Sequence, residues 1–581
     1  MEKTIFLLRE HRTRILVLSF LATLFLLIFQ TVLNTKDIND TWILEGILPL
    51  FMFFTILYVA IATLSRSLEL VTAITSIYVG TMNLIPQLKY TFLYGFFDPL
   101  YHYQFIRELA FLGRIPPAAG SYTTQYGPTP GSQVTVAAWS VLSGMSPLMA
   151  YKAFLAVTPV LIPLAVYVVL KKTQAPVGLS KIIVASTAIT LPVLYVFTGR
   201  TAVLSLYLLF TLLSFVLLSV KKVTRSGFIM TLSIGVAVVL SHDVTSFFLV
   251  VTMIILLIMQ RLMRSRSISA NSRRSFTYLI LAFVTIASAH FVFMSSYNMT
   301  TIIDMVRSSV SSLFARRTPG AIGYYSGFYR LDLLGQIVVF VVRIGRYALS
   351  ILLLAVSPVA IYRIVRKNDA LKRYYQTLAI PTVVALLVFV MTQFTRSNLV
   401  DRGLIYIAAL SPFFAGITIY WVVRSSRRFS NIITALVLFG LLSASLIQFY
   451  PCQPLIPKIY DNGVGYYAMD LRSANTIYQR SMVKFVSLYD TNSTMATDPI
   501  TTGLIYALTE PSTQVLLTGE NPLETGIRAQ LILASLDANA HPIVSGAQAV
   551  EYFRGVANLT NTRSMIYANG KSCILLNLGG H

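Results

Sequence analysis

The sequence predicts a polytopic α-helical membrane protein with a small α/β domain outside the membrane. Apolar runs of about 20 residues, the length that crosses a bilayer, recur from near the N-terminus to about residue 450. Of the 581 residues, 55% are hydrophobic and only 12% are charged. Beyond residue 450 no spanning run occurs, and helical stretches alternate with strand-like runs. We therefore predict a transmembrane domain over 1–450 and an extracytoplasmic α/β domain over 451–581.

The net charge of +24 lies almost entirely in the membrane part. From Pro451 onward the chain has nine acidic and eight basic residues. The excess lysines and arginines fall in short loops between apolar runs, which is the pattern of cytoplasmic loops and not of a nucleic-acid-binding surface. These loops are 9–14, 171–181, 221–225, 261–274, 363–373 and 424–428.

Placing the basic loops in the cytoplasm gives about thirteen spans, with the N-terminus inside and the tail outside. The first apolar run, Ile15 to Leu33, is long enough to span and has no cleavage site after it, so we expect a signal anchor. Two long loops, 87–146 and 297–335, then face outward. The predicted spans lie near 14–34, 44–62, 68–86, 147–170, 180–198, 201–220, 227–241, 244–260, 276–295, 336–362, 376–395, 402–423 and 429–449.

The first outer loop opens with a helix that carries an acid and a histidine at the membrane surface. Asp98 is predicted as its N-cap and Pro99 as its first residue, while Gly113 ends it. His102 then lies one turn from Asp98, on the same face. The pair is a candidate catalytic site, and the alternative is that Asp98 only caps and His102 only packs. A short apolar helix near 133–145 follows, which favours an interfacial or re-entrant element.

Three further places could carry chemistry on the outer side. His242 and Asp243 link two short spans, where they either form a polar site or cap the following helix. In the second outer loop, Arg316 and Arg317 either bind an anionic group or rest on lipid headgroups. Arg402 follows Asp401 at an outer span end, where it either grips a phosphate or anchors the span. No Walker, HExxH or GxSxG pattern is present, so cytosolic nucleotide chemistry is not expected.

In the tail, a helical stretch is predicted over Leu523 to Leu536 and strands over Gln514 to Leu517, Ser564 to Ile566 and Cys573 to Leu576. Asn569-Gly570 predicts a two-residue hairpin turn between the last two strands.

The residues of the opening helix resemble the first-loop motif of a known family. Phe97-Asp98-Pro99, His102-Tyr103, Leu109 and Gly113 are similar to that motif in oligosaccharyltransferase catalytic subunits and, more broadly, in polytopic GT-C glycosyltransferases. The span number, the two long outer loops and the outer tail resemble the same architecture over the whole chain. The tail contains no tryptophan, so it lacks the WWDYG motif with which oligosaccharyltransferases recognise the acceptor.

The resemblance implies a function and assigns roles to the candidate residues. It implies a glycosyltransferase that moves a sugar, with inversion, from a polyprenyl-phosphate donor to an extracytoplasmic lipid, glycan or protein. Asp98 would act as catalytic base or bind a divalent metal, Mg or Mn, with His242 and Asp243 as further ligands. Arg402, together with Arg316 and Arg317, would hold the lipid phosphate, and His102 would orient Asp98 or bind the acceptor.

Two other function classes compete with this interpretation. A transporter or flippase of lipid-linked sugars would place ionisable groups near mid-membrane, often on broken helices within internal repeats. Here the ionisable groups cluster at one face and the sequence shows no convincing repeat. A catalytically inactive scaffold that binds through its tail is the third class. Loss of function without loss of folding on replacing Asp98 would argue against that class.

Overall fold

The structure is a computed structural model in which helices form a bundle and strands follow it. It describes residues 2–34, 46–89, 97–115, 127, 129–172, 174–190, 225–262, 270–296, 413–423 and 430–449, short pieces between 299 and 387, and seven strands beyond residue 457. The predicted residues Arg316, Arg317 and Arg402 lie outside this part of the chain. For Asp98 the backbone is described and the side chain is not.

Within the described residues, four helices are long and apolar enough to cross a membrane. They are His11–Leu33, Ile47–Leu64, Leu68–Lys89 and Pro147–Lys172. Each coincides with a predicted span. Shorter apolar helices of 10–17 residues coincide with further predicted spans, at Val177–Ile189, Arg225–Ser241, Asp243–Ile258, Thr277–Phe293, Phe413–Val423 and Asn431–Ser443. The total of about thirteen spans stays a prediction, since much of 191–224 and 312–412 lies outside the described residues.

The first helices pack through an aromatic cluster. We label them α1 (Glu2–Leu33), α2 (Ile47–Leu64) and α3 (Leu68–Lys89). The rings of Tyr58 on α2 and Tyr78 on α3 stack with centroids 4.2 Å apart. Because a buried hydroxyl needs a partner, Tyr78 pairs with Thr55 at 2.9 Å, and the Tyr58 hydroxyl donates to the Ala185 carbonyl at 3.2 Å. This second bond ties α2 to the later helix α8 (Val177–Thr190).

Polar contacts show which helix ends share one side of the bundle. At one end, the Lys89 ammonium donates to the Asn34 carbonyl at 2.8 Å, so α1 and α3 finish together. We call this the loop end, because the first outer loop follows α3. At the opposite end, Glu69 at the start of α3 accepts from Tyr167 at 3.2 Å, and Lys171 lies 3.7 Å away. Successive helix ends thus lie at opposite ends of the bundle, which agrees with the predicted order in which these helices cross the membrane.

The opposite end carries basic residues, and we call it the basic end. Here α7 (Leu161–Lys172) finishes and α8 begins, and the Lys181 ammonium of α8 donates to the Ser65 carbonyl that follows α2. Near the middle of α8, Ile183 packs against Gly416 of α12 (Phe413–Val423). A Cβ at Gly416 would lie 2.7 Å from the Ile183 Cα, so only glycine permits this approach. The last helix, α13 (Ser430–Phe449), packs against α2 and α8.

The first outer loop contains two helices that pack on each other. They are α4 (Phe97–Leu112) and α5 (Gly131–Ser143), and both contact α6 (Pro147–Val157). As predicted, Gly113 ends α4 in the left-handed conformation at φ 65°, and its N–H donates to the Leu109 carbonyl at 2.9 Å. The start differs from the prediction, because Asp98 and Pro99 both lie inside the first turn. The first turn of a helix favours an acidic residue such as Asp98, and the ring of Pro99 already holds φ near its helical value.

Three helices complete the part of the bundle that faces α5. They are α9 (Arg225–Ser241), α10 (Asp243–Leu262) and α11 (Ala270–Phe293), and each packs against the other two. The tight link between α9 and α10 is the single residue His242. The N-terminal turn of α5 rests on the last residues of α9, as described below.

The described strands of the tail form a hairpin and a mixed sheet. The hairpin pairs β1 (Lys458–Asp461) with β2 (Val464–Tyr467). The sheet has the order β4-β3-β5-β7-β6, with β3 parallel to both β4 and β5 and with β7 antiparallel to β5 and β6. Its strands are β3 (Met495–Thr497), β4 (Val515–Leu517), β5 (Leu531–Ser535), β6 (Ser564–Ala568) and β7 (Ser572–Leu576).

One prediction for the tail is wrong. Leu531–Ser535 is a central strand, not part of a helix, and it pairs with β3 on one side and with β7 on the other. The last two strands pair antiparallel, while the predicted Asn569-Gly570 turn lies outside the described residues. The domain boundary at residue 450 stays a prediction.

Candidate functional site

His102 is bonded to a glutamine inside the first outer loop. It is buried, with 2% of its surface exposed, and its Nδ1 lies 3.0 Å from the Gln133 Nε2 on α5. The Gln133 oxygen accepts from the Ser132 hydroxyl at 3.2 Å, which turns the amide nitrogen toward His102. Because an amide nitrogen donates, Nδ1 accepts, and a neutral His102 carries its proton on Nε2.

Gly131 is the first residue of α5 and packs this helix, which carries Gln133, against the end of α9. A Cβ at this position would lie 2.9 Å from the Leu240 carbonyl oxygen and 3.0 Å from the Ser241 hydroxyl, closer than side chains normally pack. Glycine is therefore what allows the first turn of α5 to touch the residue before His242. Through this contact the structure joins the His102 region of the first outer loop to the His242-Asp243 turn.

His242 caps the helix that follows it. Its Nδ1 accepts from the Thr245 backbone N–H at 3.2 Å and pairs with the Thr245 hydroxyl at 2.9 Å. This is the capping arrangement that the sequence left as an alternative to a chemical role. The contacts with Thr245 occupy the Nδ1 of His242 and fix the orientation of its ring.

Asp243 is buried and ties α10 to the end of α11. Its Oδ1 accepts from the Ser295 hydroxyl at 2.9 Å, and the His290 Nε2 lies 3.6 Å from the same oxygen. Both Asp243 and His290 are more than nine-tenths buried. A buried carboxylate is costly unless polar partners surround it, so this cluster fixes the turn rigidly against α11.

The half-buried side of α4 carries further polar groups. Gln104 donates to Glu108 at 2.7 Å, one turn further along the helix. Burial raises the pKa of the Tyr103 phenol, although nearby Arg107 opposes the rise. Tyr103 therefore stays protonated at neutral pH, and its hydroxyl can donate a hydrogen bond.

The structure therefore describes some of the predicted site residues and not others. His102 is linked through α5 to the turn of His242 and Asp243, whereas Arg402, Arg316 and Arg317 lie outside the described residues and stay predictions. Sequence reasoning missed Gln133 and Ser295. The signal for Gln133 was its amide within a short helix that carries no charged residue. Ser295 gave no signal, because only the folded chain brings it to Asp243.

Several solved structures resemble this chain in fold. No protein-family model matches the chain, and no curated protein matches it in sequence. The oligosaccharyltransferase of Archaeoglobus fulgidus in complex with Zn and sulfate superposes with a TM-score of 0.55 at 12% identity, over 88% of this chain and 73% of that one. The chain shares the GT-C fold with this oligosaccharyltransferase. The apo form of the same enzyme gives a TM-score of 0.50 at 11% identity, over 81% of this chain and 69% of that one. ArnT from Cupriavidus metallidurans bound to undecaprenyl phosphate gives 0.49 at 12% identity, over 88% and 99%.

The metal site predicted for this GT-C fold was Asp98 with His242 and Asp243. In the described part of the chain, no group of three or more His, Cys, Asp or Glu side chains is arranged to hold a metal ion. His242 Nδ1 and Asp243 Oδ1 already have the partners given above. Since the Asp98 carboxylate is outside the described side chains, the three-residue site stays a prediction.

Replacing Gln133 with methionine tests the hydrogen bond between Gln133 and His102. Methionine keeps the length of the side chain but leaves the buried His102 Nδ1 without this donor. We expect the free energy of unfolding in detergent to fall by about 1–3 kcal/mol. Gln104→Met on the same pair of helices is the control, and we expect a change within about 0.5 kcal/mol because Gln104 is partly exposed. Equal losses in the two variants would contradict a structural role for the Gln133 bond.

Proposed function

We propose that the chain is a membrane glycosyltransferase that transfers a sugar from a polyprenyl-phosphate-linked donor to an extracytoplasmic acceptor. The observation that carries the proposal is the contact of Gly131 with Leu240 and Ser241. This contact joins α5, whose Gln133 lies 3.0 Å from His102 of α4, to the turn that bears His242 and Asp243. A polar cluster at one end of an apolar bundle suits chemistry at the membrane surface, where a lipid carrier keeps its chain in the bilayer.

The proposed reaction is a single displacement that inverts the anomeric carbon. The acceptor hydroxyl forms the new C–O bond, and the bond from that carbon to the phosphate oxygen breaks. The electron pair leaves on the polyprenyl phosphate. Asp98 takes the acceptor proton as general base, which is worth about 10²- to 10⁴-fold in rate. His102, held by Gln133, orients Asp98 or binds the acceptor.

The leaving phosphate gains negative charge and needs positive groups nearby. We propose that Arg402, with Arg316 and Arg317, supplies them, since a guanidinium matches phosphate oxygens with two parallel hydrogen bonds. A divalent cation, Mg or Mn, held by Asp98, His242 and Asp243, would stabilise the same charge when bound. The roles proposed for Asp98, His102 and the three arginines do not depend on that cation. The acceptor class is a lipid, a glycan or a protein.

We further propose that the protein resides in the plasma membrane with its N-terminus in the cytoplasm and the tail outside. The positive charge of the short loops supports this orientation. The site then faces the extracytoplasmic side, where polyprenyl-linked sugars meet envelope acceptors.

The purified protein in lipid nanodiscs, incubated with polyprenyl-phosphate sugars and cell-envelope acceptors, tests the proposed function. We expect free polyprenyl phosphate and glycosylated acceptor to form in equal amounts, detected by mass spectrometry. Assays with and without EDTA determine the metal requirement. Movement of the intact sugar lipid between the leaflets of proteoliposomes, without transfer, would contradict the proposal and indicate a flippase.

A further inference from the structure

A cavity lies at the basic end of the bundle, away from the candidate site. Its volume is about 220 Å³, and it opens among the last turns of α2 and α12 and the first turns of α8 and α13. The loop-end contacts of His102 and Gly131 involve none of these helices. The cavity is therefore separate from the chemistry proposed above.

The cavity wall combines apolar and polar side chains. Ala62 and Ala185 contribute apolar surface, while Tyr420 and Asn431 contribute polar groups. Pockets that enclose a whole drug-sized ligand measure about 300–1,000 Å³, so this cavity is too small to enclose a ligand of that size. In a bilayer, a lipid can place one chain in such a space while its remainder stays in the membrane.

Positive charge at the cavity determines which lipid suits it. Lys181 lines the cavity and is partly buried, and its ammonium donates to the Ser65 carbonyl at the end of α2. Arg66, which is exposed, directly follows Ser65 in the chain, so a second cation lies next to this contact. Glu69 at the same end is already bonded to Tyr167, and a further anion would lower the mutual repulsion of the two cations. Basic pockets between membrane helices on the cytoplasmic side bind anionic lipid headgroups for this reason.

We propose that this basic-end cavity binds an anionic phospholipid. An acyl chain occupies the space beside Ala62 and Ala185, and Lys181 and Arg66 contact the headgroup phosphate. The bound lipid fills the gap between α2, α8, α12 and α13, and so it braces helices other than α4, which carries His102, and α9 and α10, which His242 links. The site is independent of whether the protein transfers sugars.

Native mass spectrometry of the full-length protein tests the proposal with phosphatidylglycerol and phosphatidylcholine of identical chains. We expect wild type to bind phosphatidylglycerol preferentially. Lys181→Met should weaken that binding roughly fivefold, the effect of losing one cation near a lipid headgroup. Arg66→Gln removes an exposed charge without touching the core, and we expect a similar loss. Lys172→Gln, an exposed cation at the same end, is the matched control and should leave binding unchanged.

Several results would overturn the inference. Equal binding of the two lipids by wild type would exclude headgroup charge as the basis of recognition. A loss in Lys172→Gln as large as in Arg66→Gln would show that general surface charge is responsible. Displacement of phosphatidylglycerol by inorganic phosphate would identify a free-phosphate site instead. Ala185→Leu, which narrows the cavity, should lower phosphatidylglycerol binding while Lys181 and Arg66 remain, and unchanged binding would place the lipid elsewhere.

Discussion

Asp98→Asn is expected to reduce the release of polyprenyl phosphate by about 10²- to 10⁴-fold, the contribution of a well-placed general base. Asparagine has nearly the same shape as aspartate, but it cannot accept the proton of the acceptor hydroxyl. Asp98 lies in the first turn of α4, where an amide is also tolerated, so the helix should form as before. The measurement is the initial rate of phosphate-lipid release in nanodiscs, together with the thermal unfolding midpoint.

Glu108→Gln is the control for Asp98→Asn. Glu108 is an acid on the same helix, and its partner is Gln104. We expect its rate to stay close to that of wild type, because the loss of a carboxylate there leaves the contact of His102 with Gln133 intact. A full rate in Asp98→Asn would remove Asp98 from catalysis. Equal losses in both variants would indicate that charge on α4, and not a proton acceptor, controls the rate.

Gly131→Val is expected to cause the second largest loss of activity. The new side chain would meet the Leu240 carbonyl, which belongs to the backbone and cannot rotate away. Relief requires α5 to move away from α9, and this displaces Gln133 and His102 from the His242-Asp243 turn. A misplacement of about 1 Å at a catalytic group costs roughly 10²-fold in rate. Overpacking should also lower the free energy of unfolding by about 1–3 kcal/mol.

Gly440→Ala is the matched control for Gly131→Val. A Cβ at Gly440 meets no atom within 4 Å, so the substitution adds a methyl group in open space on α13. We expect unchanged activity and an equal or higher unfolding midpoint, because alanine favours a helix more than glycine. If Gly131→Val keeps full activity while the protein stays folded, the contact between α5 and α9 does not position the site.

Local patterns in the sequence were enough to locate the helices that the structure describes. The end of α4 at Gly113 followed from the need for a left-handed residue there, and α5 followed from a short apolar run. These features depend on residues within one or two turns of each other. For the same reason the four long apolar helices coincide with predicted spans.

Contacts between distant residues could not be predicted from local patterns. The pairing of His102 with Gln133 joins residues that are 31 positions apart, and Asp243 and Ser295 are 52 positions apart. The strand Leu531–Ser535 was predicted as helix because a short apolar run fits both structures. Its neighbours in the sheet decide between them, and they come from elsewhere in the tail.

The bond from Lys89 to the Asn34 carbonyl has a consequence for how the protein is made. The last carbonyls of a helix have no partner within it, and Asn34 follows the end of α1. Its partner arrives 55 residues later in synthesis, on α3. When α1 and α2 have left the ribosome and α3 has not, that carbonyl lacks this partner at the membrane surface. The contact that joins the ends of α1 and α3 can therefore form only after Lys89 has been synthesised.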